Sequence, residues 1–362
     1  MGFMEKKRNI KVDILRGFAA VIVVLGHTLM LYPGHPDSLL LNVIWAIQIP
    51  LFMLLSGFSQ SYSAPIRTGR DFGKFTKKRL SSVLWPWFVW SAIAYLVFAG
   101  NVDLWAYIGV TAYHMESAFW FVFSLFTINL VFALASLGAA MVKTEKLWLQ
   151  KLVTVALCVA GAGLLLGIGL FTGINFLGIK YTAYYIPYFV LGWLVGGFVE
   201  SNAFPRFQKY YLDKVLLILL IVFCVLVGKH NFFTMQDSPI NILIRVIASS
   251  CVSLLLVGLM YKMDGEAEAK LERIFRVPAK YSLELYVVQY FVLHFLTAGE
   301  VSVLTVTGFL NCMAYFAIVY GLCVFLIWFL HLNPLVGSVF FGKVQKSRRR
   351  RRVMGKYETK RL

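Results

Sequence analysis

Residues 12–32 read VDILRGFAAVIVVLGHTLMLY, an apolar run that carries only two charged side chains. A helix of about 20 mainly apolar residues crosses a bilayer, and runs of this kind recur along all 362 residues of the chain. Hydrophobic residues make up 59% of the chain and charged residues 14%, against about 25% charged residues in soluble domains. The sequence predicts an all-α polytopic membrane protein with about ten transmembrane helices. We place them near residues 12–32, 39–61, 81–99, 118–142, 152–171, 181–199, 214–230, 241–261, 281–298 and 303–332.

The positive charges are unevenly distributed between these helices. The net charge is +18, and nearly all Lys and Arg residues fall in the N-terminal segment, in alternate connections and in the C-terminal tail. Cytoplasmic loops carry such an excess of Lys and Arg, which predicts cytoplasmic termini and a multi-pass protein of the cell (plasma or inner) membrane. We expect one transmembrane domain, residues 1–342, and a basic cytoplasmic tail, residues 343–362. The lipid bilayer, rather than a nucleic acid, is the partner that this distribution indicates.

The first helix carries two side chains that membrane helices seldom contain. His27 lies too deep in the predicted span to reach the cytoplasm, whereas Arg16 lies near the cytoplasmic end. Each has a structural alternative, because a membrane histidine can be a hydrogen-bonded packing residue and an arginine near a helix end can be an anchor. Residue type alone therefore leaves the role of both side chains open.

The spacing of the two side chains favours a functional role. Eleven residues separate Arg16 from His27, about 20° more than three full helical turns, so both lie on one face about 16 Å apart along the axis. Asp13, three residues before Arg16, can hold the guanidinium in place. A cation at the rim and an imidazole deep in the membrane suit a long molecule with an anionic head that enters from the cytoplasm.

Several segments occur in the order found in a known family. They are Asp13-x-x-Arg16-Gly17 with Gly26-His27, the run QIPLFMLLSGF from Gln48 to Phe58, the basic run FTKKR from Phe75 to Arg79, the run WFVFSL from Trp120 to Leu125, and the run YSLELY from Tyr281 to Tyr286. Together they resemble the membrane acyltransferase-3 family, most closely its fucose- or polysaccharide-type O-acetyltransferases. Many members of that family have a histidine before the proline of the second segment, where this chain has Gln48 and Ile49.

The resemblance implies transfer of an acyl group, acetyl by default, from cytoplasmic acyl-CoA to a hydroxyl of an extracytoplasmic or exported carbohydrate. Acyl-CoA is then the co-substrate. A neutral imidazole can accept the proton of a sugar hydroxyl as the hydroxyl attacks a thioester, so His27 is the predicted base. In a variant of this mechanism His27 accepts the acyl group first. Arg16 is predicted to bind a CoA phosphate or to steady the donor.

Three further residues are candidates for binding the donor. Lys78 and Arg79 can hold the 3′-phosphate or the pyrophosphate, although both also fit the distribution of positive charge on the cytoplasmic side. Trp120 can form a wall of the tunnel to His27, although Trp is also common at membrane interfaces.

Candidates for binding the acceptor lie toward the predicted outer side. Glu116 and His114 precede Trp120 and are either sugar contacts or members of a solvated loop. Arg245, in the outer part of a predicted span, binds an anionic acceptor or pairs with a nearby carboxylate. No metal site is predicted, because the five cysteines are widely spaced within predicted spans.

A transporter or flippase of a lipid-linked or polymeric saccharide is the alternative function. About ten spans with few intramembrane charges suit a transporter nearly as well. The Arg16–His27 face favours the enzyme, because a flippase needs no base aligned with a phosphate-binding cation.

Overall fold

The computed structural model describes residues 9–99, 103–113, 119–142, 144, 146–172, 175–297 and 299–342. Over these ranges the chain forms helices and no β-strand. The helices are α1 (Ile10–Leu29), α2 (Leu39–Ser61), α3 (Gly69–Arg79), α4 (Trp85–Ala99), α5 (Leu104–Tyr113), α6 (Trp120–Met141), α7 (Leu147–Thr172), α8 (Ile179–Val199), α9 (Phe204–Tyr210), α10 (Leu212–Lys229), α11 (Pro239–Lys262), α12 (Gly265–Lys280), α13 (Ser282–His294), α14 (Val306–Leu330) and α15 (Pro334–Phe341). A π-helical turn, Leu80–Leu84, joins α3 to α4.

The prediction of an all-α polytopic membrane protein is confirmed. Among the described residues, eight helical segments are long and apolar enough to cross a membrane. The number rises to nine if α9 and α10, which meet at 69°, form one broken span. Each of these nine overlaps one of the spans expected from the sequence. The third begins earlier than expected, at Gly69, because α3, the π-turn and α4 follow one another without interruption.

The span expected near 281–298 is shorter than the sequence suggested. Its helix, α13, contains 13 residues, which at 1.5 Å per residue is about 20 Å long, less than the roughly 30 Å of a hydrocarbon core. The helix ends at His294, and the carbonyl of Thr297 beyond it accepts a hydrogen bond from the Tyr315 hydroxyl of α14 at 2.8 Å. This hydrogen bond joins the segment after α13 to α14.

Helices α2 and α8 approach each other closely because glycines lie between them. A Cβ on Gly57 would lie 1.8 Å from the carbonyl oxygen of Phe189, and a Cβ on Gly192 would lie 1.9 Å from that of Leu54. Small residues that let two backbones touch are typical of helix pairs in membranes. Further toward the carboxyl end of both helices, Gly196 lies against Phe58. The two helices therefore run parallel.

Replacement of Gly57 by alanine is expected to destabilise the protein by about 1–3 kcal/mol or more, the range for overpacking a core, because rigid backbone opposes the added methyl group. The measurement is the thermal unfolding midpoint of the purified protein in detergent. Gly163→Ala in α7 is the matched control, since nothing lies within 4 Å of its Cβ position. Equal midpoints for the two variants would contradict the close packing of α2 and α8.

The amphipathic helix α12 lies along the first half of α1. A Cβ on Gly17 would lie 2.5 Å from the carbonyl oxygen of Phe275, and the rings of Phe18 and Phe275 meet edge to face at 6.0 Å. An ion pair between Lys11 and Glu268 also joins the two helices. This packing brings the basic C-terminal turn of α12 to the level of Arg16.

Candidate active site

Helix α1 presents Arg16 and His27 on one side. The side chain of Asn9 caps the helix by accepting a hydrogen bond from the Val12 amide, and its Nδ2 donates to the hydroxyl of Tyr62 at 3.0 Å. Burial raises the pKa of Tyr62 above its usual value, so this hydroxyl keeps its proton. From this fixed start α1 is unbroken to Leu29, which places Arg16 and His27 about 16 Å apart along the axis.

His27 lies deep in the helix bundle. Its side chain is partly buried. Nδ1 lies 2.9 Å from the carbonyl oxygen of Val23. A carbonyl only accepts, so we assign the proton to Nδ1, which leaves the lone pair of the neutral ring on Nε2. This is the tautomer that a base acting through Nε2 requires.

A buried amide lies beside the turn that carries His27. A Cβ on Gly26 would lie 3.0 Å from Oε1 of Gln48 and 2.9 Å from Ile44, so α2 packs closely against α1 at this turn. The Gln48 side chain is 4% exposed, and its Oε1 has no hydrogen-bond partner among the described residues. An orphaned buried acceptor costs about 1–3 kcal/mol, which makes Gln48 a candidate to accept a hydrogen bond from a bound substrate.

Arg16 is held in position by two helices. Its Nη1 donates to the Asp13 carboxylate at 2.9 Å, and its Nη2 donates to the Ser59 hydroxyl of α2 at 3.0 Å. The pairing with Asp13 agrees with the expectation from their spacing. The Arg16 side chain remains 30% exposed, so a bound anion can still reach it.

An open cavity of about 810 Å³ lies at Arg16. Its lining combines cationic and acidic side chains with a tyrosine and two small apolar residues: Asp13, Arg16, Arg276, Val277, Ala279, Lys280 and Tyr281. The ammonium of Lys280 donates to the hydroxyl of Tyr281 at 2.7 Å. Three cations against one carboxylate leave the cavity with an excess of positive charge.

The structure brings Arg79 toward this region but leaves Lys78 apart. Nη2 of Arg79 donates to Oε1 of Gln60 at 3.2 Å, next along α2 from the Ser59 that holds Arg16. Lys78 is exposed on α3 and does not line the cavity.

Trp120 lies at the other end of the site. It begins α6 and stacks on Tyr181 and Tyr185 of α8, with ring centroids 4.7 and 5.5 Å away. Because α8 runs parallel to α2 with Gly192 beside Leu54, Tyr185, seven residues earlier on α8, lies near the level of Gln48, which meets the turn of His27. Trp120 is therefore nearer the level of His27 than that of Arg16.

Arg245 belongs to the same end. Its Nη1 pairs with the Asp237 carboxylate at 2.6 Å, and its Nη2 donates to the carbonyl oxygen of Met235. The carboxylate partner considered from the sequence is therefore present. The Tyr188 hydroxyl, 3.5 Å from the carbonyl oxygen of Arg245, connects α11 to the aromatic residues around Trp120. The candidates Glu116 and His114 lie outside the described residues.

Sequence reasoning missed the contributions of α12 and of the end of α2. Arg276 and Lys280 looked like ordinary charges of a basic connection, and Ser59 and Gln60 carried no motif. The available signal was the strong amphipathicity of residues 265–280, which predicts a helix lying on the bundle rather than a loop.

Comparison with known proteins identifies the family of this chain. A family model described as an acyltransferase domain, that of the acyltransferase-3 family, matches residues 9–332. No curated protein and no solved structure matches the chain. The match covers both Arg16 and His27, the α12 wall of the cavity and the aromatic residues around Trp120. The chain therefore belongs to the acyltransferase-3 family, whose members are membrane acyltransferases.

Proposed function

We propose that this acyltransferase moves an acyl group, acetyl by default, from cytoplasmic acyl-CoA to a hydroxyl of an extracytoplasmic or exported carbohydrate, in the plasma or inner membrane. The observation that carries the proposal is the cationic cavity at Arg16, placed below His27 on the same side of α1. The offset of about 16 Å along the helix is of the order of an extended pantetheine arm. Family membership favours acyl transfer over the transporter alternative.

The cavity supplies the partners that a CoA head needs. Its cations Arg16, Arg276 and Lys280 exceed its single carboxylate, Asp13. Charge-assisted hydrogen bonds to phosphate are stronger than those between neutral groups, and arginine forms them in a bidentate geometry. Lys78 contributes to the electrostatic attraction of the donor without a direct contact.

His27 is the general base of the proposed reaction. Its Nε2 takes the proton of the acceptor hydroxyl while the hydroxyl oxygen bonds to the thioester carbonyl carbon. The tetrahedral intermediate collapses by breaking the C–S bond, and the imidazolium returns the proton to the CoA thiolate. The Val23 carbonyl keeps Nδ1 protonated throughout, so His27 returns to the same neutral tautomer after each catalytic cycle.

The acceptor approaches from the end at which Trp120 and Arg245 lie. The aromatic faces of Trp120, Tyr181 and Tyr185 provide apolar surface, and the tyrosine hydroxyls provide hydrogen-bonding tips. The buried Oε1 of Gln48 supports the same direction of approach, because it can accept a bond from a second hydroxyl of the sugar. Arg245 is partly neutralised by Asp237, so we assign it to orienting the acceptor.

The double substitution Arg276→Gln with Lys280→Gln tests the donor site. Both side chains are exposed, so each contributes about 1 kcal/mol to phosphate binding, and the double variant is expected to bind acetyl-CoA roughly 30-fold more weakly if the two add. The measurement is the Kd for acetyl-CoA of the purified full-length protein, by isothermal titration calorimetry in detergent.

The matched control is Lys270→Gln with Arg273→Gln. It removes the same two charges from the same helix, but at positions that do not line the cavity. The control is expected to keep the affinity within about twofold, since distant exposed charges are screened by salt. An equal loss in both double variants would assign the effect to net charge, and no loss in either would contradict the donor site.

A further inference from the structure

A second cavity, of about 660 Å³, opens on the side of the bundle formed by α4 and α15. We call it the α4–α15 groove. It shares no residue with the cavity at Arg16. Its lining is mainly apolar, with a cation at one end: Lys77, Leu80, Ser81, Leu84, Trp85, Trp87, Phe88, Ser338 and Gly342.

Specific hydrogen bonds hold the walls of the groove. The indole of Trp85 donates to the carbonyl oxygen of Val339 at 2.8 Å, and the indole of Trp90 donates to that of Phe340 at 2.9 Å. Gly342 has a φ of +61°, and a Cβ there would lie 2.0 Å from the carbonyl oxygen of Ser81. The short helix α15 is thus fixed against α4, and the groove is a built feature of the fold.

The groove crosses the boundary between a charged and an apolar segment. Helix α3 contains five Lys and Arg residues, whereas α4 contains no charged residue. Leu80, Trp85 and Phe88 on the groove are 42%, 46% and 49% exposed, so these apolar side chains face the surroundings of the bundle. Tryptophans and basic residues at such a boundary mark the level of the lipid headgroups.

The charge around the groove indicates an anionic occupant. Lys77 lies at its polar end. Gly342 lines the groove, and the 20 residues that follow it carry ten Lys and Arg residues, including the run from Arg348 to Arg352. Lys77 thus supplies positive charge at the groove, the chain that continues from Gly342 carries ten more cations, and the lining offers apolar side chains. A molecule with an anionic head and a hydrocarbon chain can pair with the cation and pack against the apolar lining.

We propose that the α4–α15 groove binds an anionic glycerophospholipid of the surrounding leaflet. One acyl chain lies along Leu84 and Phe88, and the phosphate lies at Lys77 and Ser81, where the basic tail begins. The bound lipid fills the space between α4 and α15 and joins the C-terminal helix to the bundle. The proposal concerns lipid binding and is independent of the acyl-transfer reaction.

Native mass spectrometry of the full-length protein in detergent tests this proposal. The probes are dioleoyl phosphatidylglycerol and dioleoyl phosphatidylcholine, which share their acyl chains but differ in charge. We expect one phosphatidylglycerol to be retained in preference to phosphatidylcholine. Lys77→Gln is expected to weaken that binding about fivefold, the effect of one basic residue near an anionic lipid surface. Ser338→Trp, which fills the groove, is expected to abolish it.

Lys214→Gln is the matched control, because Lys214 is an exposed lysine at the start of α10, outside the groove. Equal retention of the two lipids would overturn the proposal. So would unchanged binding in both Lys77→Gln and Ser338→Trp. Loss of binding only when Arg348 to Arg352 are changed to glutamine would place the lipid on the tail. A dimer that Ser338→Trp dissociates would assign the groove to a second copy of the chain.

Discussion

Replacement of His27 by alanine or glutamine is expected to lower acyl transfer by about two to four orders of magnitude, the contribution of a positioned general base. Without the imidazole, no group on α1 at this level can take the proton of the attacking hydroxyl. The measurements are the release of the free CoA thiol from acetyl-CoA by the purified protein, and the acyl mass on surface glycans of cells that carry each variant.

His35→Ala is the matched control for this experiment. His35 is also partly buried, and its Nδ1 also lies at a backbone carbonyl, that of Tyr32 at 2.7 Å. It follows the end of α1 in the turn His35–Asp37, away from the proposed path of the donor. An active, well-expressed His27→Ala variant would eliminate the imidazole as the base. Equal losses in His27→Ala and His35→Ala would indicate a structural role.

Replacement of Arg16 by glutamine is expected to raise the KM for acyl-CoA by about 10- to 150-fold, since hydrogen bonds to charged groups contribute about 1.5–3 kcal/mol. The value of kcat should change less, because the phosphate contact is equally strong in the ground state and the transition state. The KM of Arg16→Lys should fall between the values for wild type and Arg16→Gln, because lysine keeps the charge but loses the bidentate geometry.

The steady-state rate of CoA release at varied acetyl-CoA concentration measures these parameters. Arg206→Gln, which removes an exposed arginine from α9, is the control for general loss of positive charge. A fall in kcat with an unchanged KM would contradict the binding role of Arg16. Because the Arg16 variants change the ion pair with Asp13, each is compared with wild type for its unfolding midpoint in detergent.

Local features of the site could be predicted from the sequence. The unbroken helix α1 follows from its apolar pattern. The pair formed by Asp13 and Arg16 follows from their spacing of three residues, since such residues are neighbours on a helix surface. Within one helix, the backbone geometry converts a difference in residue number directly into a position in space.

Other features depended on contacts between distant segments. Lys78 and Arg79 are adjacent in sequence, yet only Arg79 reaches α2 and the region of Arg16. Trp120 stacks on Tyr181 and Tyr185 of α8, and its position near the level of His27 follows from the parallel course of α2 and α8. No local sequence pattern predicts these positions, because they depend on which helices pack together. Glycines allow particular helices to touch.

The order of apolar and charged residues alone determined that this chain is a helical membrane protein with a cation and an imidazole on one face of its first helix. Bilayer thickness and helical periodicity impose both results on any chain with these residues. Packing decided that α12 brings Arg276 and Lys280 to Arg16 and that α13 stops short of a full span. These two features depend on contacts between residues that are far apart in the sequence. Such contacts form only when the helices are packed closely together.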